Sequence, residues 1–562
     1  MATAGDPGTS GAGAAKKVCI VGGGAAGAGL LWSLAKAQAL GLTKDQFSIR
    51  LIHDDVAVGG HSRTVSVPMN GTTVQIDTGV QMMAPSMYPG LMSMLALSEF
   101  APVELAHVDL HISCTFPPEQ GATPYWGNFP AYQKTQLFAN GAPSAAIFQK
   151  LLSAANLRKD PVEMLGTVKT FLDNNAGAFP SPTALTLFTD YFLDPYMSIM
   201  NGYGGARLDS TALVDIAALW DLGYASFIEP TEGYARFANG AQSWVQQMVT
   251  LAQKQFGAGL NLSLSCRVER IVPNPPSQAT VTWVDATGKE VTEAFDVVVS
   301  TLDMQTNSGV LDSPNNKLWS SLYEPYIGSP VPNKPGTTVW PLIPGFCYIH
   351  QDASVLAPGM PQPLLETLQM NASNAGDGHG GYDLIKTYTT YIESNLLGIT
   401  LKDPADEWYL TMYGFDPHEY GITPPSTGPD HSFQWVHGMW MPTFMVPQKL
   451  AFHTAQSISP FQPARSGQQQ TGVYFAGNNL TMDSEEGALM SGLCIAKYAF
   501  GIDVKMTLFP PASPVKDLER WLLAVAELDV LYAMMFPPAF PEATSTADAL
   551  ESLLGRLSAF RR

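Results

Sequence analysis

The patterned part of the chain opens with an apolar run, Lys17 to Val21 (KVCIV), which reads as a short strand buried on both faces. The stretch from Ala25 to Ala37 is helical in composition, and Ser48 to His53 (SIRLIH) reads as the next strand. Strand, helix and strand at this spacing make a βαβ unit of dinucleotide-fold length. From about Asp77 to Val249 the pattern becomes mainly helical, broken by Pro- and Gly-rich loops such as PPEQGATPYWGNFP. Strand character returns at Leu262 to Val272, at Ala279 to Val284 and at Asp296 to Ser300 (DVVVS). Residues 320–460 are irregular and aromatic-rich, with short β-like runs such as Trp408 to Met412. Gly472 to Ala476 (GVYFA) is again strand-like, and a helix is predicted from about Glu486 to Phe500.

Nucleotide-type strands therefore occur at the beginning, middle and end of the pattern. The organisation this predicts is an α/β cofactor domain in three segments, 17–76, 246–310 and 466–505. A substrate domain is inserted between them as a mostly helical part, 77–245, and a mixed-sheet part, 311–465. Residues 1–16 read as a flexible leader without a signal-peptide pattern, and 506–562 as a helical tail. In that tail Leu518, Trp521, Leu522, Val525, Leu528, Tyr532 and Met535 share one helical stripe. A second tail helix is expected after the capping pattern from Ser545 to Asp548, with Leu550, Leu553, Leu554 and Leu557 on one face. Two helices packed on the body, a lid, a dimer surface or a membrane-surface contact would each use such stripes.

Composition narrows the classes. Of 562 residues, 46% are hydrophobic and 14% charged, against roughly 25% charged in ordinary soluble domains. A large interior, an apolar cavity or both would account for this. The net charge of −19 opposes binding to phosphate backbones and anionic lipid, so no nucleic-acid partner is expected. The 5 cysteines are scattered with no CxxC pair, so neither a disulfide framework nor a metal site is indicated and a reducing, cytoplasmic compartment is the simpler expectation. No uncharged apolar run is long enough for a transmembrane helix.

The motif that carries chemistry is Gly22-Gly-Gly24-Ala25-Ala26-Gly27, set between the first strand and the first helix. Its first glycine allows the turn, the second a close backbone approach to a pyrophosphate, and the third close packing of helix on strand. This Rossmann-like fingerprint alone does not separate FAD from NAD. A second glycine turn, Val58-Gly-Gly60-His61-Ser62-Arg63-Thr64, follows the second strand.

At these residues the chain resembles the flavin amine oxidase superfamily. The resemblance continues at Ile76-Asp-Thr-Gly79, at Asp296 to Thr301, at Val473-Tyr-Phe-Ala-Gly477 and at Glu486-Gly487-Ala488-Leu-Met-Ser-Gly492. It implies a Rossmann-like FAD-binding domain in three segments, with an inserted α+β substrate domain and the helical tail. By the same resemblance Gly22, Gly24, Gly27, Gly60, Arg63, Val268, Gly477 and Glu486 line the FAD site, with Val268 meeting the adenine through its backbone. Ala25, Ala26, His61, Ser62, Gly487 and Ala488 belong to the same stretches. The family's ribose-holding acid is replaced by His53, and Asp54 is expected to serve after a one-residue shift, with His53 as the fallback acceptor. No cysteine precedes the VYFAG strand, so non-covalent FAD is expected.

Other stretches loosely resemble lipid-associated bacterial branches and polyunsaturated fatty acid double-bond isomerases: Ile76 to Leu91, Tyr348 to Asp352, Trp435 to His437, Asp194 to Trp220 and Glu232 to Gly240. The 23 methionines and 26 phenylalanines fit a pocket for a flexible apolar ligand as well as an ordinary core. Met82, Met83, Met87, Met92, Met94, Met197 and Met200 fall in predicted substrate segments. The lysine that amine oxidases hold beside the flavin has Lys334 as its nearest positional candidate, but Pro335 follows it and no assignment is made. His350, His437, Glu232 and Trp435 are the candidates for proton transfer, carboxylate anchoring or a wall over the ring, with Trp440 beside them. The expected reaction is hydride removal from a C–H bond of a largely apolar small molecule, a fatty acid or related lipid, ending in double-bond isomerisation or desaturation. The alternative is an amine or amino-acid oxidase producing hydrogen peroxide. A flavoprotein with a purely structural FAD is a third class, and homo-oligomerisation stays open.

Overall fold

The run KVCIV is apolar throughout because it becomes an interior strand: Val18, Cys19 and Ile20 are each 0% exposed. The structure is a computed structural model and describes residues 15–117, 124–158, 160, 163, 164, 166–200, 208, 213–274, 278–311, 343–356, 368–371, 388–413, 417–420, 422–425, 433–440, 472–477, 480, 481, 484–505 and 518–535. In chain order the described strands are β1 (Lys16–Val21), β2 (Phe47–Ile52), β3 (Thr64–Met69), β4 (Thr72–Asp77), β5 (Leu105–Leu110), β6 (Ile112–Thr115), β7 (Tyr125–Gly127), β8 (Thr231–Phe237) and β9 (Leu260–Ser263). They continue as β10 (Arg267–Asn274), β11 (Gln278–Val284), β12 (Glu290–Phe295), β13 (Val297–Ser300), β14 (Ile343–His350), β15 (Leu368–Asn371), β16 (Tyr388–Ile392), β17 (Tyr409–Tyr413), β18 (Phe433–Trp440) and β19 (Val473–Phe475). The helices that bear on the site are α1 (Ala25–Ala39), α2 (Pro89–Leu95), α3 (Gln242–Phe256), α4 (Glu485–Phe500) and α5 (Leu518–Met535).

Five strands form a parallel sheet in the order β19-β13-β1-β2-β9. Its strands come from the start, middle and end of the chain, and α1, α3 and α4 contribute to one core with it. The helices cover one face and β10–β12 the other, where Cys19, Val21 and Val298 pack with Ile271, Val281 and Phe295; both faces are buried, hence the unbroken apolar runs. A three-stranded antiparallel sheet, β10-β11-β12, adjoins this unit. The architecture is the α/β fold with a Rossmann-like domain that the sequence predicts.

A seven-stranded mixed sheet has the order β18-β14-β17-β16-β15-β6-β7. Along β14 and β17 the side chains alternate: Cys347, Ile349, Leu410 and Met412 join a large core with the helices between residues 136 and 221. Tyr348 and Tyr413 pack together on the opposite face.

Several expectations change. The segment from Asp77 to Val249 also contains β5, β6, β7 and β8. Strands of 3 and 4 residues, such as β7 and β6, are shorter than any window in which periodicity can be read. The β3–β4 hairpin turns at Asn70 and Gly71, whose φ values are 54° and 77°. An Asn-Gly pair between two β-rich runs is a strong hairpin signal, and here it forms the turn. In the tail, Ala524, Leu528, Leu531 and Met535 face inward, whereas Leu522 is 53% exposed, so the buried stripe is rotated from the expected one. The expected second tail helix, residues 1–14 and Lys334 lie outside the described residues. No described helix is long and apolar enough to cross a membrane.

Candidate cofactor site

The site is built where β1 and β2 end. After Val21 the chain turns at Gly22, whose φ is +104° and whose N–H donates to Ile52 O at 2.8 Å. A Cβ on Gly22 would fall 2.2 Å from Thr301 Oγ1, so this side of the turn is open to glycine alone. The Thr301 hydroxyl donates to Val21 O at 2.9 Å and ties the turn to the end of β13. Gly27 lets α1 approach: a Cβ there would meet Gly22 O at 2.1 Å. Gly24 is the N-cap of α1; no side chain caps this end and no acid stands in its first turn. Ala25 and Ala26 open the helix with methyl side chains only. Uncapped first-turn amides and the positive end of the helix dipole favour an anion at this position.

The second glycine turn lies directly against the first. Gly59 N donates to Gly23 O at 3.0 Å, and Gly24 and Gly59 form a parallel bridge. Gly60 has φ +60°, and a Cβ on it would fall 2.9 Å from Gly24 Cα. Two turns with no side chain between them make a backbone-lined cradle, the surface a diphosphate approaches.

At the end of β2 it is His53, 8% exposed, that packs on the first turn, its Nδ1 accepting from Gly23 N at 3.3 Å. The Asp54 side chain is 77% exposed and Asp55 pairs with Arg63 at 2.7 Å. The expected one-residue shift that would bring Asp54 into the site therefore does not occur: β2 ends in register with β1, and Asp54 turns outward. Arg63, predicted to line the site, holds the loop through that ion pair and through its carbonyl, which accepts from Thr78 N at 2.9 Å. Burial drives His61 down to about 4, so its ring is neutral near pH 7. Val268 lies in β10 opposite Trp283, and a register shift follows it before Arg270. Such a bulge releases backbone groups from the ladder.

The second acidic pair of the site behaves differently from expectation. Ser62 donates to Glu485 Oε1, and both residues are buried. Burial pushes Glu485 up to about 8. Glu486, predicted to line the flavin, turns to α2 instead: its carboxylate accepts from Gly90 N at 2.5 Å and Leu91 N at 2.7 Å. Its side chain thus caps α2, because the first-turn amides of that helix have no other side-chain cap. The carboxyl of Glu527 on α5 stands beside it, and burial raises both groups. Gly487 N is used by the Ser484 cap at 3.0 Å, and Ala488 N donates to Ser484 O at 3.0 Å. Gly477, with φ +134°, donates to Ser491 Oγ at 2.9 Å and links β19 to α4.

Of the candidates on the seven-stranded sheet, His350 is held within the sheet itself. His350 is 0% exposed, its Nε2 is 2.9 Å from Thr411 Oγ1, and its Nδ1 accepts from Asp352 N at 3.1 Å. Both ring nitrogens are satisfied, the ring stacks on Tyr409, and burial lowers its pKa to about 4. It shares its strand face with Tyr348, opposite the face on which Cys347 donates to Thr78 O at 3.3 Å. His350 is therefore a structural residue. Trp435 stands opposite Cys347 and His437 opposite Gly345 in the β14–β18 pairing, and Glu232 lies in β8. The side chains of these three lie outside the described residues.

Sequence reasoning missed a buried acidic group made by Asp77 and Glu393. Asp77, at the end of β4, accepts from Thr64 Oγ1 at 2.5 Å and Ala241 N at 2.7 Å, and burial raises it to about 7. Glu393 is 0% exposed with neither oxygen hydrogen-bonded. Burial raises it well above the carboxylate range, with the charges of Asp77 and Arg236 acting in opposite directions. Asp77 was legible within Ile76-Asp-Thr-Gly79; Glu393 carries no local signal. Four of the methionines are core, Met83, Met92, Met94 and Met197 each being 7% exposed or less, while Met82 and Met87 are partly buried against it.

Residues 20–96 match the NAD(P)-binding Rossmann-like domain family. No curated protein matches the sequence. Among solved structures, a cofactor-redesigned triple mutant of putrescine oxidase is similar at 14% identity, covering 86% of this chain and 99% of that one with a TM-score of 0.50. A conjugated-linoleic-acid-producing (CLA-producing) fatty acid isomerase from P. acnes is similar at 12% identity, covering 86% and 98% with a TM-score of 0.51. The chain has a Rossmann-like dinucleotide-binding domain within the fold that this oxidase and this isomerase share.

Proposed function

We propose that this protein is an FAD-dependent oxidoreductase that takes a hydride from a C–H bond of a largely apolar substrate, an unsaturated fatty acid or related lipid. The observation that carries the cofactor assignment is the pair of stacked glycine turns: Gly24 and Gly60 meet backbone to backbone beside an uncapped helix end. A single turn would serve any dinucleotide; the second turn fits a diphosphate held from two sides. Bound there, FAD supplies a hydride acceptor.

The chain's own residues do the remaining work. The first turn of α1 offers amides and dipole to the diphosphate, and Gly22, Gly24 and Gly60 keep side chains out of its way. The Val268 backbone, next to the bulge of β10, is the group assigned to meet the adenine. Glu485, protonated at neutral pH, and Ser62 form a neutral pair at the start of α4. That neutrality avoids an uncompensated negative charge in a buried position. The fatty-acid assignment draws on the likeness to the isomerase and on the low charged fraction of 14%. Non-covalent attachment is inferred because no cysteine stands just before the stretch from Val473 to Gly477.

Anaerobic titration of the purified holoprotein tests the reading. Bleaching or perturbation of the flavin bands by an unsaturated fatty acid, and not by putrescine or other amines, is the expected result. Bleaching by amines alone would replace the substrate class with an amine.

A further inference from the structure

Gln242 is the first residue of α3, and the chain leaving β8 delivers it to the second glycine turn through a tight passage. Gly240 has φ +80°, and a Cβ on it would fall 2.2 Å from Thr64 Cγ2. Only glycine lets the backbone run this close to the first residue of β3. Ala241 N then donates to Asp77 at 2.7 Å, and Gln242 N donates to Thr64 Oγ1 at 3.1 Å. With its backbone fixed in this way, the Gln242 side chain reaches both ends of the turn. Its Nε2 donates to Val58 O at 2.7 Å, and its Oε1 accepts from Thr64 N at 3.4 Å. One partner is a carbonyl and the other an N–H, so a single orientation of the amide satisfies both. The two glycines between them face opposite ways. A Cβ on Gly60 would meet Gly24 Cα at 2.9 Å, and one on Gly59 would meet Gln242 Cγ at 3.0 Å. The turn is therefore packed between the first glycine turn and this side chain.

We infer that Gln242 is a positioning residue for the cofactor, holding the second glycine turn in its binding geometry before the dinucleotide arrives. The inference rests on the dinucleotide reading of the two turns and deepens it. Glycine loses more conformational freedom on ordering than any other residue, so a Gly-Gly turn is costly to fix. Gly59 N to Gly23 O ties the middle of the turn to its partner, and the Gln242 amide ties the ends. A turn already in place accepts a ligand directly. A turn that must first order binds only from the fraction of molecules in which it is formed, which lowers the association rate and leaves dissociation largely unchanged.

Stopped-flow binding of FAD to apoprotein, read by quenching of flavin fluorescence, tests this with wild type, Gln242→Met and Gln242→Ala. Q242M keeps the length of the side chain and removes both hydrogen bonds; Q242A removes the packing on Gly59 as well. The expected result is an association rate about tenfold lower for Q242M and lower still for Q242A, with dissociation rates within about twofold of wild type. Amide hydrogen exchange of the apoproteins should quicken in residues 58–64 and stay unchanged in α1, a pattern that a general loss of stability would not give. Unchanged association rates, a change confined to the dissociation rate, or variant apoproteins that no longer melt cooperatively would overturn the inference. Failure of the wild-type apoprotein to bind FAD would instead overturn the dinucleotide reading itself.

Discussion

The end of β2 and the seven-stranded sheet each bury a histidine, and the two put it to different use. His350 uses both ring nitrogens within the sheet, on Thr411 and Asp352, and stacks on Tyr409. His53 accepts from Gly23 N in the first glycine turn and bonds the Ala57 backbone. Burial lowers the pKa of both, so a perturbed titration does not separate them. What each ring holds in place does. The acids repeat the lesson: Glu486 is consumed by the amides of Gly90 and Leu91, whereas Glu485 holds Ser62 of the second glycine turn.

The sharpest way to break this contrast is to fill the cradle. Gly60→Val places side-chain atoms on Gly24 and forces a residue into φ +60°. FAD binding should weaken by more than about a hundredfold, roughly 3 kcal/mol, as read by flavin content and reconstitution titration. Retention of flavin by G60V would show that the two turns are not the binding surface. His350→Ala should do the converse. It removes a buried partner of Thr411 and leaves a void, costing about 2–3 kcal/mol in urea unfolding while FAD affinity changes less than about twofold.

The pH dependence of apoprotein stability follows from the same burial. The neutral His350 has a pKa of about 4 in the fold against 6.5 unfolded. Unfolding therefore takes up a proton in that window, and stability should fall as pH drops from 6.5 towards 4. The slope approaches about 1.4 kcal/mol per pH unit for this group. His350→Gln should flatten the acid limb; an unchanged slope would mean that the ring is charged in the fold. Glu485 acts at the other end. Its carboxyl is held up at about 8 against an ordinary 4.5, so unfolding releases a proton and stability should decline as pH rises between those values. Glu485→Gln should equal wild type near pH 4.5 and exceed it increasingly as pH rises towards 8 in thermal melts.

The parallel sheet and the glycine turns were legible because their constraints are local. Burial on both faces writes an apolar run such as KVCIV, and a turn against a helix end writes glycines at fixed spacing. The side chains that complete the site were not legible in the same way. Glu485 and Glu486 are adjacent, and only the rotation of α4 decides which reaches Ser62 and which reaches α2. Whether His53 or Asp54 faces Gly23 depends on where β2 ends, a difference of one residue. The exclusion of His350 from the site required its partners on β17, 61 positions away in sequence. The Asn70-Gly71 hairpin is different, since its signal was present and local.

The flavin content of the purified protein tests the central claim most directly. Absorbance before and after denaturation, with the released cofactor identified chromatographically, should give about one FAD per chain, released without proteolysis because it is not covalently held. Protein that carries no flavin and takes up none on reconstitution with FAD would contradict the account.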